Sequence, residues 1–87
     1  MGKELKVYTS KQCKYCTKLK NGLDDIGLKY IDIDVDNPEN DNEVKKIYSL
    51  ANEAVIPIIT VQPNVLVPNR SFNTIDEALD LIKFLTK

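Results

Sequence analysis

The chain has two cysteines, and they stand close together in Cys13-Lys14-Tyr15-Cys16. Side chains at i and i+3 meet on one face of a helix, so the second sulfur can reach back to the first. The flanking sequence predicts such a helix: Leu5-Lys6-Val7-Tyr8-Thr9 reads as a short strand and Thr17 onward as a helix. A cysteine in a helix's first turn faces unpaired backbone N–H groups and the positive end of the helix dipole. Both favour the thiolate, so Cys13 is expected to titrate below the free-thiol value of about 8.5. The thiolate is the nucleophile of disulfide exchange. The pair therefore reads as a reversible dithiol/disulfide couple, with Cys13 attacking and Cys16 resolving.

Two other readings stand beside that one. A zinc site takes four ligands, or three plus water. With no histidine and no third cysteine, one chain cannot build an N/S zinc site, whereas two chains pooling their cysteines can. An inert structural disulfide would close a very short loop, which offers little unfolded-state entropy.

The elements that hold the cysteines follow from hydrophobic periodicity. A first strand is expected from Glu4 to Thr9 and a first helix from Lys14 to Ile26, with Cys16, Leu19, Leu23 and Ile26 on one face. Gly27 suits a C-terminal cap. Gly22, inside the helix, costs about 1 kcal/mol against alanine, which a close helix contact would explain. Lys29 to Asp36 alternates, placing Ile31, Ile33 and Val35 on a buried face and Tyr30, Asp32, Asp34 and Asp36 on the other.

Asn37 then caps a helix with Pro38 at its first position, and Val44, Ile47, Tyr48 and Ala51 form its apolar stripe. Ile56 to Val61 is the most apolar run and reads as a central strand that starts at a proline. Gln62-Pro63-Asn64 is a turn, and Val65-Leu66-Val67 is an antiparallel partner. Thr74-Ile75-Asp76-Glu77 has the form of a capping box. Ile75, Ala78, Leu79, Ile82 and Leu85 stripe the last helix, with Lys83 and Lys87 at its C-terminal end.

The order β-α-β-α-β-β-α makes an α/β domain spanning residues 1–87, a mixed four-stranded sheet with three helices. The first two strands should be parallel with a right-handed crossover, and the last two a hairpin. Asp32-x-Asp34-x-Asp36-Asn37 with Glu43 approaches a calcium-binding EF-hand loop. Asn37 replaces the glycine of the sharp turn and the entering segment is a strand, so these residues read as an acidic strand face.

Composition narrows the function classes. At 87 residues the chain is long enough for one core. Hydrophobic content of 43% and charged content of 29% are those of an ordinary soluble domain. A net charge of −1 gives no basic excess for nucleic acid. Two cysteines do not make a secreted disulfide framework. No apolar run has the length of a signal peptide or a membrane span. Gly2 invites N-myristoylation, but Lys6 stands where that motif wants Ser or Thr. The expected location is cytoplasmic, without a membrane partner.

Val7-Tyr8-Thr9-Ser10-Lys11-Gln12-Cys13-Lys14-Tyr15-Cys16, followed by a helix and the Ile56-Pro57 strand start, resembles the glutaredoxins of the thioredoxin-fold superfamily. The likeness covers nearly the whole chain in element order and length. It implies that Cys13 attacks disulfides or glutathione mixed disulfides and that Cys16 resolves them. It implies that Tyr15 borders bound glutathione, that Pro57 is cis and faces the cysteines, and that the Ile56 backbone pairs with the cysteine part of glutathione, a form of strand addition. It implies Lys11 for the glycine carboxylate, Asn73 or Thr74 for the glutamyl amine, and the last helix's N-terminus for the glutamyl carboxylate. The chain departs from the family pattern in three places. Lys11 stands two residues before Cys13 where three is usual, Lys14 replaces a frequent proline, and Asn69 to Thr74 lacks the usual Gly-Gly.

The resemblance implies a thiol–disulfide oxidoreductase, a monomer that serves cell redox homeostasis. Glutathione is its expected co-substrate, or a thioredoxin-reductase-type flavin enzyme its electron donor, and no metal is expected. Disulfide-containing proteins are the expected substrates, ribonucleotide reductase among them. Two rivals come from other classes. One is a carrier in which two chains bridge an iron–sulfur cluster through Cys13 and glutathione, an arrangement that Lys14 would crowd. The other is a redox-silent interaction domain.

Overall fold

Strand β1, Leu5–Thr9, lies inside a four-stranded sheet of order β2-β1-β3-β4 in the computed structural model, which describes residues 4–87. Gly2, and with it the acylation reading, falls outside the described residues. Helix α1 spans Lys14–Asp25, β2 Ile31–Asp34, α2 Asp41–Ala51, β3 Ile58–Val61, β4 Asn64–Leu66 and α3 Ile75–Leu85. The strands β1 and β2 are parallel, with Thr9 opposite Asp34. The strands β1 and β3 are antiparallel, with Tyr8 opposite Ile58, and β3–β4 is an antiparallel hairpin.

Alternation along the strands sends side chains to two cores, because successive residues point to opposite faces. Leu5, Val7, Ile59 and Val61 meet Leu19 and Leu23 of α1 and Ala78 and Ile82 of α3. Tyr8, Ile33 and Ile58 meet Val44, Ile47 and Ala51 of α2. Two helices therefore cover one face and one helix the other. At about 25 cal/mol per Å² of apolar area, this burial is the main term stabilising the fold.

Where α1 and α3 touch, a Cβ placed on Gly22 would lie 2.6 Å from Leu79 Cδ1. The mid-helix glycine thus lets α3 approach. Helix α1 ends in a Schellman motif: Gly27 has φ +75°, its N–H donates to Asp24 O at 3.1 Å, and Leu28 N–H donates to Leu23 O at 3.0 Å.

Several local expectations are corrected. Ile26 is the C-cap of α1 and is 40% exposed, outside the stripe. The second strand is shorter than its alternating run, and Ile31 is 44% exposed. It is an edge strand, with no further strand to cover its outer side. The proline-led helix begins as a 3₁₀ turn, Pro38–Asn40, capped by Asn37 Oδ1 accepting from Glu39 N–H at 3.0 Å. Gln62–Pro63 is a second cis peptide.

The acidic face is also less open than the sequence implied. Asp32 pairs with Lys20 at 3.0 Å and accepts from Thr9 Oγ1. Glu43 stands apart from the aspartates on α2, where its Oε2 accepts from Lys6 Nζ and Tyr8 OH, both at 3.0 Å. The Lys6 hydrogen bond holds the Glu43 carboxyl below its usual value, while burial first, then Glu43, raises that of the Tyr8 phenol. Among the described residues no helix is long and apolar enough to cross a membrane, and no group of three His, Cys, Asp or Glu could hold a metal ion.

Candidate active site

The turn from Ser10 to Cys13 carries the chain from β1 into α1, closed by Cys13 N–H donating to Ser10 O at 3.2 Å. Cys13 is the N-cap of α1, with extended backbone (φ −90°, ψ 110°). Its Sγ accepts from Cys16 N–H at 3.1 Å. Its carbonyl accepts from Thr17 N–H at 3.2 Å, opening the helix. The sulfur thus takes the place of an N-capping oxygen, where a negative charge gains most from the orphan N–H groups and the dipole.

The two sulfurs are joined as a Cys13–Cys16 disulfide, with Cα atoms 5.2 Å apart. Their exposures differ. Cys16 is 0% exposed, packed on the core face of α1, while Cys13 is only partly buried. A nucleophile approaching from solvent therefore meets Cys13 first.

The end of β2 braces this turn. Ser10 Oγ donates to Asp36 Oδ2 at 2.7 Å, and Val35 N–H donates to Thr9 O at 2.8 Å. With Thr9 and Lys20 both on Asp32, α1, β1 and β2 are tied together beneath the cysteines. Sequence reasoning did not place Thr9, Ser10, Asp32 or Asp36 at the site. The only signal was the run of alternating aspartates, whose partners are distant in sequence.

The structure brings most of the expected residues to one end of the molecule. Ile56–Pro57 is a cis peptide, as the resemblance implied. Because Tyr8 faces Ile58, Pro57 falls level with Thr9, beside the strand end from which the cysteine turn leaves. Pro57 is buried and Ile56 half-buried. Lys11 and Lys14 are exposed around the turn, and Tyr15 is 69% exposed. Helix α3 begins nearby: Ile75 and Asp76 line one groove with Lys14, Thr17 and Lys18.

Asn73 and Thr74 sit at the start of α3, but their backbone donors are engaged. Asn73 N–H and Thr74 N–H both donate to Glu77 Oε1, at 2.7 and 3.2 Å, and Thr74 Oγ1 accepts from Glu77 N–H at 3.1 Å. This is the expected capping box, extended by one further donor. Arg70 is committed elsewhere. Its guanidinium donates to Ala51 O at the end of α2 and stands 3.7 Å from Glu53.

Residues 5–66 match the family model for glutaredoxin. The chain is 25% identical over 63 residues to an uncharacterized glutaredoxin-like 8.6 kDa protein in the rubredoxin operon of Clostridium pasteurianum, spanning 72% of this chain and 81% of that one. Among solved structures it is similar to a glutaredoxin from Archaeoglobus fulgidus, with a TM-score of 0.72 at 17% identity over 93% of this chain and 87% of that one. It is also similar to buckwheat glutaredoxin in a complex with glutathione, with a TM-score of 0.69 at 16% identity over 94% and 70% of the two chains. The holo form of glutaredoxin C1 from Populus tremula x tremuloides gives 0.70 at 14% identity over 95% and 83%. These likenesses give the chain a thioredoxin-like fold.

Proposed function

The chain belongs to the glutaredoxin family, whose match and Cys13–Cys16 pair support thiol–disulfide oxidoreductase activity, and on that premise we propose that it reduces protein disulfides in preference to glutathione mixed disulfides. The dithiol chemistry is supported by the unequal exposure of two sulfurs at one helix start, and the observation that carries the preference is the Glu77 carboxylate on the Asn73 and Thr74 amides. In the reduced enzyme the Cys13 thiolate attacks one sulfur of a substrate disulfide. A Cys13–substrate disulfide forms and the other substrate sulfur leaves as thiolate. Cys16 gives up its proton and attacks the Cys13 sulfur. The second substrate thiolate departs and the Cys13–Cys16 disulfide remains, so two electrons have passed to the substrate.

Restoring the dithiol takes a two-electron donor. Glutathione is the co-substrate the family suggests, and the buckwheat relative is seen with it. Against strong glutathione binding here stands Glu77. Its carboxylate lies on the amides of Asn73 and Thr74, the donors that a glutamyl carboxylate at the start of α3 would need. Hydrogen bonds to a charged group are worth about 1.5–3 kcal/mol, so an incoming carboxylate competes with one already in place. We therefore assign the main reducing role to a flavin disulfide reductase and a weaker one to glutathione. Lys11, Tyr15, Ile56 and Pro57 then serve as the docking surface for the substrate backbone. A reducing compartment such as the cytoplasm is where such a dithiol would cycle, and we take the working form to be a monomer.

Steady-state turnover with a glutathione mixed disulfide and with a protein disulfide tests this reading. The expected result is a higher kcat/KM for the protein disulfide, and a clear preference for the glutathione adduct would contradict it. In the Glu77→Ala variant, KM for the glutathione mixed disulfide should fall about tenfold, with protein-disulfide turnover unchanged. An unaltered or higher KM would remove Glu77 from this role.

A further inference from the structure

Beside the redox turn a groove of about 490 Å³ runs between α1 and α3. Its floor lies where Gly22 meets Leu79. The α1 wall carries Lys14 and Lys18, both exposed, and neither takes part in any ion pair among the described residues. The α3 wall carries Asp76, also exposed and unpaired among those residues. The two walls thus oppose charges of different sign across an apolar floor, next to Cys13.

The spacing of those charges defines what fits. Lys14 and Lys18 are four residues apart on a helix, a rise of about 6 Å. An extended chain advances about 3.3 Å per residue, so side chains at i and i+2 match that interval and share one side. The side chain between them points the other way, toward Asp76. Asp25 closes the lysine wall about 10 Å beyond Lys18, which limits the acidic stretch to two positions.

We propose that this groove receives an extended segment flanking the substrate's disulfide, with acidic side chains at two alternate positions facing α1 and a basic side chain between them facing α3. The inference rests on Cys13 being the attacking sulfur and names the class of protein substrate it would meet. The segment's carboxylates would pair with Lys14 and Lys18 while its disulfide lies at the head of the groove.

Two peptides test the proposal, Glu-Lys-Glu-Cys-Glu-Lys-Glu and Lys-Glu-Lys-Cys-Lys-Glu-Lys, each joined to 2-mercaptoethanol as a mixed disulfide. The first should be reduced with about tenfold higher kcat/KM, the scale of two or three exposed ion pairs, and the difference should lie in KM. It should shrink in about 0.5 M salt, where the screening length falls toward a few Å. Lys18→Glu should cut the preference to about twofold, since Lys14 and Asp76 still favour the first peptide, and leave turnover of bis(2-hydroxyethyl) disulfide unchanged. Equal efficiencies for the two peptides, or a preference undiminished by Lys18→Glu, would overturn the proposal. Failure to reduce bis(2-hydroxyethyl) disulfide at all would count against the redox reading instead. The groove is then judged by binding of the serine-for-cysteine peptides, with amide shifts at Gly22 and Leu79 expected for the Glu-Lys-Glu form alone and their absence refuting it.

Discussion

Cys13→Ser should lower turnover of protein disulfides and glutathione mixed disulfides alike by at least about 10³-fold, the scale on which removing a catalytic nucleophile acts. A serine hydroxyl at this position does not ionise in the working pH range, and disulfide exchange proceeds through a thiolate. The variant should nonetheless fold. Serine is a favoured N-cap, and its oxygen can accept from Cys16 N–H as the sulfur does. A thermal midpoint close to that of the reduced wild type, beside lost activity, separates chemistry from folding. Activity that persists in Cys13→Ser would mean that Cys16 can attack from its buried position, against the exposure difference on which the role assignment stands.

Cys16→Ser should divide the two substrate classes. Without the resolving thiol, the mixed disulfide between Cys13 and a protein substrate has no internal exit. Protein-disulfide turnover should drop by about a hundredfold, since attack by an external thiol forfeits the effective molarity of a tethered one. A glutathione mixed disulfide needs no such step, because a second glutathione can release the first, and its turnover should stay within a few-fold of wild type. Cys16 is fully buried, so a serine hydroxyl there costs about 1–3 kcal/mol if left unpaired. Cys16→Ala avoids that penalty and should give the same split. Mass spectrometry should find the trapped Cys13–substrate adduct in both variants. Equal losses for both substrates, or an adduct on the other cysteine of a matched Cys13 variant, would reverse the roles.

Much of this site was legible in the sequence because its signals are local. The cysteine spacing, the strand before it and the helix after it lie within a short stretch, and α1 does begin at Lys14 with Cys13 as its cap. The Thr74–Glu77 capping box and the Gly27 terminus were equally local and are both present. What the sequence did not convey depends on neighbours distant along the chain. Alternation from Lys29 to Asp36 reports which side chains share a face, but not that β2 lies at the sheet edge with Ile31 exposed.

The same limit hid the brace under the redox turn. Asp32 meets Lys20 and Thr9, and Asp36 meets Ser10, pairings that exist only once β2 lies parallel to β1. Arg70 lies only a few residues before α3 in the sequence, yet it closes the C-terminal end of α2 at Ala51. The capping box was visible, but its consequence was not. That Glu77 also takes the Asn73 amide, at the helix start where the resemblance puts a glutamyl carboxylate, depends on the folded geometry rather than on the motif.

The account comes down to a sulfur at Cys13 that is ionised and reachable while its partner is neither. Alkylation of the fully reduced protein by iodoacetamide, followed across pH with peptide mapping of each cysteine, measures both properties at once. Cys13 should react with a midpoint well below the free-thiol value of about 8.5, and Cys16 should lag far behind it at every pH. Labelling of both cysteines at equal rates, or a Cys13 midpoint at or above that free value, would contradict the account.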